Sequence, residues 1–162
     1  MIEELKKSRS ANKSMVATDN SKKNLDDYEV EKTIGKGSYA IVKLAKCKVS
    51  GDSFAIKTYE RSSLNDPLKK QSVEREISLL RKLNNEFIIK YINHVVTQSQ
   101  IHLVMEFAGT RSLYEYVKKG PNRHLSVDDS LSPFIQLAKA IAYIHSKDIC
   151  HRDLKLENVI YN

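Results

Sequence analysis

A chain of 162 residues, 41% apolar and 29% charged, has the composition of an ordinary globular protein and length enough for one compact domain with an appendage. It contains no apolar run near the ~18 residues that span a membrane, and its opening Met1-Ile2-Glu3-Glu4-Leu5-Lys6-Lys7 lacks the apolar core of a secretory signal. The formal charge of +7 is interspersed with acids, forms no arginine-rich tract and comes without a single Trp to stack bases, so no dedicated nucleic-acid binding is expected.

Residues 1–26 are polar, rich in Ser, Asn and Lys, and without sustained periodicity, which reads as a flexible leader. Alternation predicts a strand over 28–34. Gly35-Lys36-Gly37-Ser38-Tyr39-Ala40 turns it back into a strand over 41–47, and a turn over 49–52 leads to a third over 53–59. Short connections make these three antiparallel. A helix follows over 68–83, with Val73, Ile77 and Leu80 at i, i+4 and i+7 on one stripe. Two more strands, over 91–97 and 100–107, flank a turn at Gln98-Ser99. A short helix over 112–119 is stopped by Gly120-Pro121. Ser126-Val127-Asp128-Asp129 has the form of a capping box and opens a long helix to about residue 146. That helix is apolar over most of its girth, and Pro133 within it should remove one backbone hydrogen bond and kink it.

The chemistry concentrates in His151-Arg152-Asp153-Leu154-Lys155-Leu156-Glu157-Asn158. Phosphoryl transfer needs an oriented nucleophile, held metal ions and neutralised charge rather than covalent help. Asp153 can accept or orient a hydroxyl proton, Lys155 can place a point charge near a moving phosphoryl group, and Asn158 offers an amide oxygen to a hard cation. A solvated mixed-charge loop explains any two of these residues but not five at fixed spacing.

Upstream, the spacing Gly35-x-Gly37-x-x-Ala40-x-Val42 also suits a dinucleotide fingerprint, but that must open a helix and here a strand follows. A glycine-rich hairpin suits a phosphate cover, since backbone N–H groups can approach an anion; a plain β-turn stays open as the alternative. Lys57 shares a strand face with Ala55 and Tyr59. Glu76 lies near the apolar stripe of the predicted helix, where an unpartnered carboxylate is costly, and Lys57 is the natural cation for it.

Two cysteines, Cys47 and Cys150, are too few for a disulfide framework, which implies a reducing, intracellular location: the cytoplasm, with the nucleus also open to it. Cys150 adjoins His151, but catalytic Cys–His pairs are neighbours in space rather than in sequence, so Cys150 reads as a small packed residue.

On these motifs, in this order, the sequence over 28–162 resembles the front part of a eukaryotic protein kinase of the serine/threonine type, in the calcium/calmodulin-dependent and AMP-activated group. The resemblance implies an α+β fold: a small lobe with a five-stranded antiparallel sheet plus one helix over 27–107, including the hinge, then the first part of a mainly helical large lobe over 108–162. It implies ATP and Mg2+ as cofactors and a protein Ser/Thr hydroxyl as acceptor. Gly35, Gly37 and Ser38 would cover the phosphates, Val42 and Ala55 the adenine. Lys57, held by Glu76, would meet phosphate oxygens. Met105 matches the gatekeeper, Glu106 and Ala108 the hinge, and Ser112 the ribose position, where an acid is frequent. Asp153 and Lys155 match the catalytic loop and Asn158 a metal ligand.

Several positions depart from the family. Ala40 replaces a third glycine, Asn84-Asn85-Glu86-Phe87 replaces a His-Pro-Asn turn, and Pro133 stands inside the long helix. No Asp-Phe-Gly occurs in the 162 residues, so the chain is expected to be an N-terminal fragment, inactive by itself. Its long helix would leave apolar surface wet, and ~400 Å² of it forgoes on the order of 10 kcal/mol at ~25 cal/mol per Å². The residues leave two other readings: a short form that binds nucleotide or a partner without transfer, and a small-molecule phosphotransferase, against which Arg152 and Lys155 argue. They carry no signal of oligomeric state.

Overall fold

The computed structural model describes residues 24–37, 39–120 and 122–161. Most of the expected leader, and Ser38 among the phosphate-loop candidates, lie outside the described residues.

Alternating apolar residues over the first half build β1 (Tyr28–Lys36), β2 (Ala40–Cys47) and β3 (Ser53–Glu60), joined by tight turns and antiparallel as expected. β4 (Tyr91–Val96) and β5 (Gln100–Glu106) complete a five-stranded antiparallel sheet in the order β1-β2-β3-β5-β4. The last strand therefore enters the middle. Its composition suits that place: Ile101, His102, Leu103 and Val104 are all buried, a run covered on both faces.

The two faces of the sheet carry separate cores. On one, Tyr28, Ala45, Cys47, Phe54, Ile56 and Val104 cluster, with Tyr28 edge-on to Phe54 at 5.4 Å between centroids. The Tyr28 hydroxyl is buried there with no hydrogen-bond partner among the described residues, and burial, with Cys47 and Asp27 beside it, pushes this phenol up to about 12. On the other face, Tyr59, Ile101 and Leu103 pack against Val73 and Ile77 of α1 (Pro67–Lys82). The helix opens one residue earlier than its apolar stripe predicts, because the Asp66 side chain caps it, accepting from the Leu68 N–H at 2.9 Å, with Pro67 at the first helical position.

Beyond the sheet come α2 (Leu113–Lys119) and α3 (Val127–His145). Ser126 caps α3, its hydroxyl oxygen accepting from the Asp129 N–H at 3.1 Å. The helix continues through Pro133 as expected; the lost N–H falls in its second turn. Among the described residues, fourteen of the seventeen buried apolar side chains lie between Tyr28 and Val104, and α3 buries only Ala140 and Ile144. Val127 and Phe134 are 84% and 67% exposed. Among its ties to the sheet side of the molecule, the Tyr143 hydroxyl accepts from the Asn84 N–H at 3.0 Å, and the Lys139 ammonium lies 5.9 Å from the Phe87 ring centre.

Cys150 departs from expectation. It is exposed, at the turn that follows α3, while Cys47 is buried in the first core.

Candidate active site

Strand alternation puts Ala55, Lys57 and Tyr59 on the face that α1 covers. The Lys57 ammonium donates to Glu76 Oε1 at 2.7 Å across the strand–helix interface, a half-buried pair. Glu76 has a second partner that strand alternation alone does not reveal: the Tyr59 hydroxyl donates to Oε2 at 2.7 Å. Burial first, then the Glu76 carboxylate, pushes the Tyr59 phenol far above its ordinary value, so it is a fixed donor at neutral pH. Lys57 also lies 5.2 Å from the centre of the Tyr59 ring. One carboxylate thus holds two side chains from alternate positions of a strand.

The cross-strand register aligns other candidates with this pair. Val42 is paired with Gly35 on one side and Lys57 on the other, while Ala55 lies between Leu44 and Met105. Gly35, Val42, Ala55, Lys57 and Met105 therefore share one face. Neither Gly35 nor Gly37 is in the left-handed region. A Cβ at Gly35 would meet Val42 Cβ at 3.5 Å, and one at Gly37 the Ala40 carbonyl oxygen at 3.6 Å, both ordinary contacts. The fold does not demand glycine at either position.

After β5 the chain enters the connecting segment. The Glu106 N–H donates to the Lys90 carbonyl at 3.0 Å, and the Lys90 N–H returns to Glu106 Oε1 at 2.9 Å, so the last residue of β5 is held at both backbone and side chain. Ala108 follows, and Gly109 turns the chain at φ 119°, a conformation closed to other residues. Ser112, the ribose candidate, caps α2: its hydroxyl oxygen accepts from the Glu115 N–H at 3.1 Å, and Glu115 Oε2 accepts from the Ser112 N–H at 3.3 Å. The hydroxyl proton of Ser112 remains as its donor.

The 151–158 loop closes on itself. Lys155 Nζ lies 3.1 Å from Asp153 Oδ2. A single 3-10 turn, Leu156–Asn158, brings Asn158 back so that its amide nitrogen donates to the Asp153 carbonyl at 2.8 Å and to Oδ2 at 2.9 Å. These hydrogen bonds, from Lys155 first and Asn158 second, hold the Asp153 carboxyl below its ordinary value. With its nitrogen committed, Asn158 has its amide oxygen left for a hard cation. Arg152 adopts φ 66°, a left-handed conformation that costs a bulky residue about 1–3 kcal/mol and that clusters at functional loops. Short backbone bonds tie the residues just after this loop to the start of α2: the Leu113 N–H donates to the Val159 carbonyl at 2.7 Å and the Tyr161 N–H to the Arg111 carbonyl at 3.0 Å. Lys57 is thus brought to Glu76, and Asp153 to Lys155 and Asn158; among the described residues no hydrogen bond or ion pair joins the two groups.

A family model described as the protein kinase domain matches residues 28–162. The chain belongs to the protein kinase family. Its curated relatives place it with the serine/threonine kinases. Serine/threonine-protein kinase SIK2 of Gallus gallus is 36% identical over 133 residues, 82% of this chain and 16% of the relative. SIK1 of Rattus norvegicus is 37% identical, with 82% and 17% covered. CBL-interacting serine/threonine-protein kinase 1 of Arabidopsis thaliana is 37% identical over 136 residues, 84% of this chain and 30% of the relative. The kinase chain thus spans less than a third of the length of each of these relatives. The sheet with α1 has the architecture of a kinase small lobe. Among the described residues no helix is long and apolar enough to cross a membrane.

Proposed function

We propose that this kinase domain binds ATP with Mg2+ and belongs to an intracellular enzyme that phosphorylates Ser or Thr hydroxyls of proteins. One observation carries the reading: the Lys57–Glu76 pair at 2.7 Å stands on the same sheet face as Gly35, Val42, Ala55 and Met105. A lysine held by a helix carboxylate, beside two glycines that the fold itself does not require, fits a bound polyphosphate. Val42, Ala55 and Met105 give that face an apolar floor for a base, Glu106 and Ala108 its polar edge, and Ser112 a hydroxyl for the sugar. ATP supplies the transferable phosphoryl group and Mg2+ neutralises charge on its oxygens. Asp153, kept ionised by Lys155 and Asn158, orients an acceptor hydroxyl and takes its proton. Lys155 adds a positive charge beside that position, and the Asn158 amide oxygen is a metal ligand.

A second reading concerns a polypeptide of these 162 residues alone. The 162 residues contain no Asp-Phe-Gly, so the acid that the family pairs with Asn158 on the metal is not among them. Such a polypeptide binds nucleotide without transferring phosphate. Incubating it with radiolabelled ATP, Mg2+ and a Ser/Thr-containing peptide library, beside a direct nucleotide-binding titration, separates the readings. Binding without label transfer is expected. Transfer that disappears in Asp153→Asn would overturn the inactive reading, and absence of binding would overturn the nucleotide site.

A further inference from the structure

The glycine-rich turn has a second tie to α1. The turn is tight, with the Gly37 N–H donating to the Ala40 carbonyl at 2.8 Å, and it presents Tyr39 at its corner with 54% of the residue exposed. The Lys69 ammonium lies 4.7 Å from the centre of the Tyr39 ring, well inside the ~6 Å range of cation–π attraction. Lys69 is in the first turn of α1, where the positive end of the helix disfavours a cation, and that turn contains no acid. Its neighbour Lys70 has Glu74 at 4.0 Å, but among the described residues no carboxylate is within ion-pair distance of Lys69. The Tyr39 ring is what it faces.

Position along the helix gives the contact its meaning. Lys69, Val73, Glu76 and Leu80 fall on one stripe at i, i+4, i+7 and i+11. Val73 is buried, Leu80 packs on the sheet and Glu76 takes Lys57. Seven residues of helix separate Lys69 from Glu76, about 10 Å at ~1.5 Å per residue. One rigid helix therefore grips the sheet lysine at one point and the glycine-rich turn at another.

We propose that Tyr39 and Lys69 are positioning residues: a tether that makes the place of the glycine-rich turn depend on the place of α1. A shift of α1 away from the sheet releases Lys57 and the turn together, so nucleotide affinity follows helix position through two contacts. The consequence for affinity rests on the nucleotide-binding reading above; the tether itself does not.

The test uses the whole chain and two readouts. Carbon–proton NMR should show the Lys69 side-chain methylene protons shifted upfield by the Tyr39 ring, the shift lost in Tyr39→Leu and kept in Tyr39→Phe. In a titration with MgATP, Tyr39→Leu and Lys69→Met should each weaken binding about two- to fivefold, the range of an exposed cation–π contact. The double variant should be no weaker than either single, and Tyr39→Phe and Lys69→Arg should bind like the parent. A Lys69 shift unchanged in Tyr39→Leu, or losses that multiply in the double variant, would overturn the tether. A ring-dependent shift in a parent chain that binds no nucleotide would uphold the tether and overturn the nucleotide reading instead.

Discussion

Removing a single oxygen from Tyr59 tests whether Glu76 is held as the geometry says. In Tyr59→Phe the ring stays in its core place, 3% exposed in the parent, so no cavity opens and the only loss is the 2.7 Å hydrogen bond to Glu76 Oε2. Hydrogen bonds to charged groups contribute about 1.5–3 kcal/mol. The Glu76 side chain is 35% exposed, so water can take over the vacated acceptor and the loss belongs at the lower end, ~1.5 kcal/mol. The assay is urea unfolding at pH 7 of the parent, Tyr59→Phe, Glu76→Leu and the double variant, Leu leaving no acceptor for the Tyr59 hydroxyl. The thermodynamic cycle should show coupling on the order of 1 kcal/mol between the two positions. Tyr28→Phe is the internal control. Its hydroxyl is buried without a partner, so its removal relieves a desolvation penalty and should leave stability equal or up to ~1 kcal/mol higher. Two tyrosines lose the same atom with opposite results. If Tyr59→Phe proves as harmless as Tyr28→Phe, or the cycle is additive, the Tyr59–Glu76–Lys57 arrangement does not operate in solution.

Other consequences are equally direct. Gly35→Ala adds a methyl group that meets Val42 at 3.5 Å, so urea stability should move by no more than ~0.5 kcal/mol while MgATP affinity falls; a large stability loss would show that the fold, not the ligand, needs this glycine. His102 is buried and bonded to the Thr58 hydroxyl at 3.0 Å; burial lowers its pKa, opposed by Glu60 and aided by Lys43. The unfolded chain then takes up a proton near pH ~6.5 that the folded chain refuses. Stability should therefore fall as pH drops below that value, seen as a lower urea midpoint at pH 5.5 than at pH 7.5. His102→Gln should flatten this slope, and an unchanged slope would remove His102 as its cause. Amide exchange should be faster over α3, which buries two residues, than over β3 and β5; equal protection would contradict the burial pattern.

What could be read in advance follows the range of the forces involved. Strand alternation is local, and it placed Lys57 with Ala55 and Tyr59 on one face. The apolar stripe of α1 is local too, and it marked Glu76 as a carboxylate in need of a cation. That Tyr59 also reaches Glu76 depends on how α1 is rotated over the sheet, a tertiary fact with no local signature. The entry of β5 between β3 and β4 is similarly nonlocal, though its run of four buried residues is consistent with a central strand. The Ser126-x-x-Asp129 spacing is legible as a helix start, though only half the box forms: Ser126 Oγ accepts from the Asp129 N–H and donates to Asp129 Oδ2, while the full box is at Ser112-x-x-Glu115. Asn85 likewise shows its turn chemistry, its side-chain oxygen accepting from the Phe87 N–H at 2.9 Å, in place of the more frequent His-Pro-Asn turn. Arg152 at φ 66° had no warning, because nothing in an arginine favours the left-handed region. Cys150 was misplaced because residue size says little about burial at the end of a helix.

On the proposed function, the Lys57–Glu76 pair is the heart of a nucleotide site. Calorimetric titration of the chain with MgATP, beside Lys57→Met of verified secondary structure, tests it most directly. We predict saturable one-to-one binding that weakens on the order of tenfold or more in Lys57→Met, as loss of a charge-assisted contact requires. A parent chain that binds no nucleotide, or a variant that binds it as well as the parent, would contradict the account.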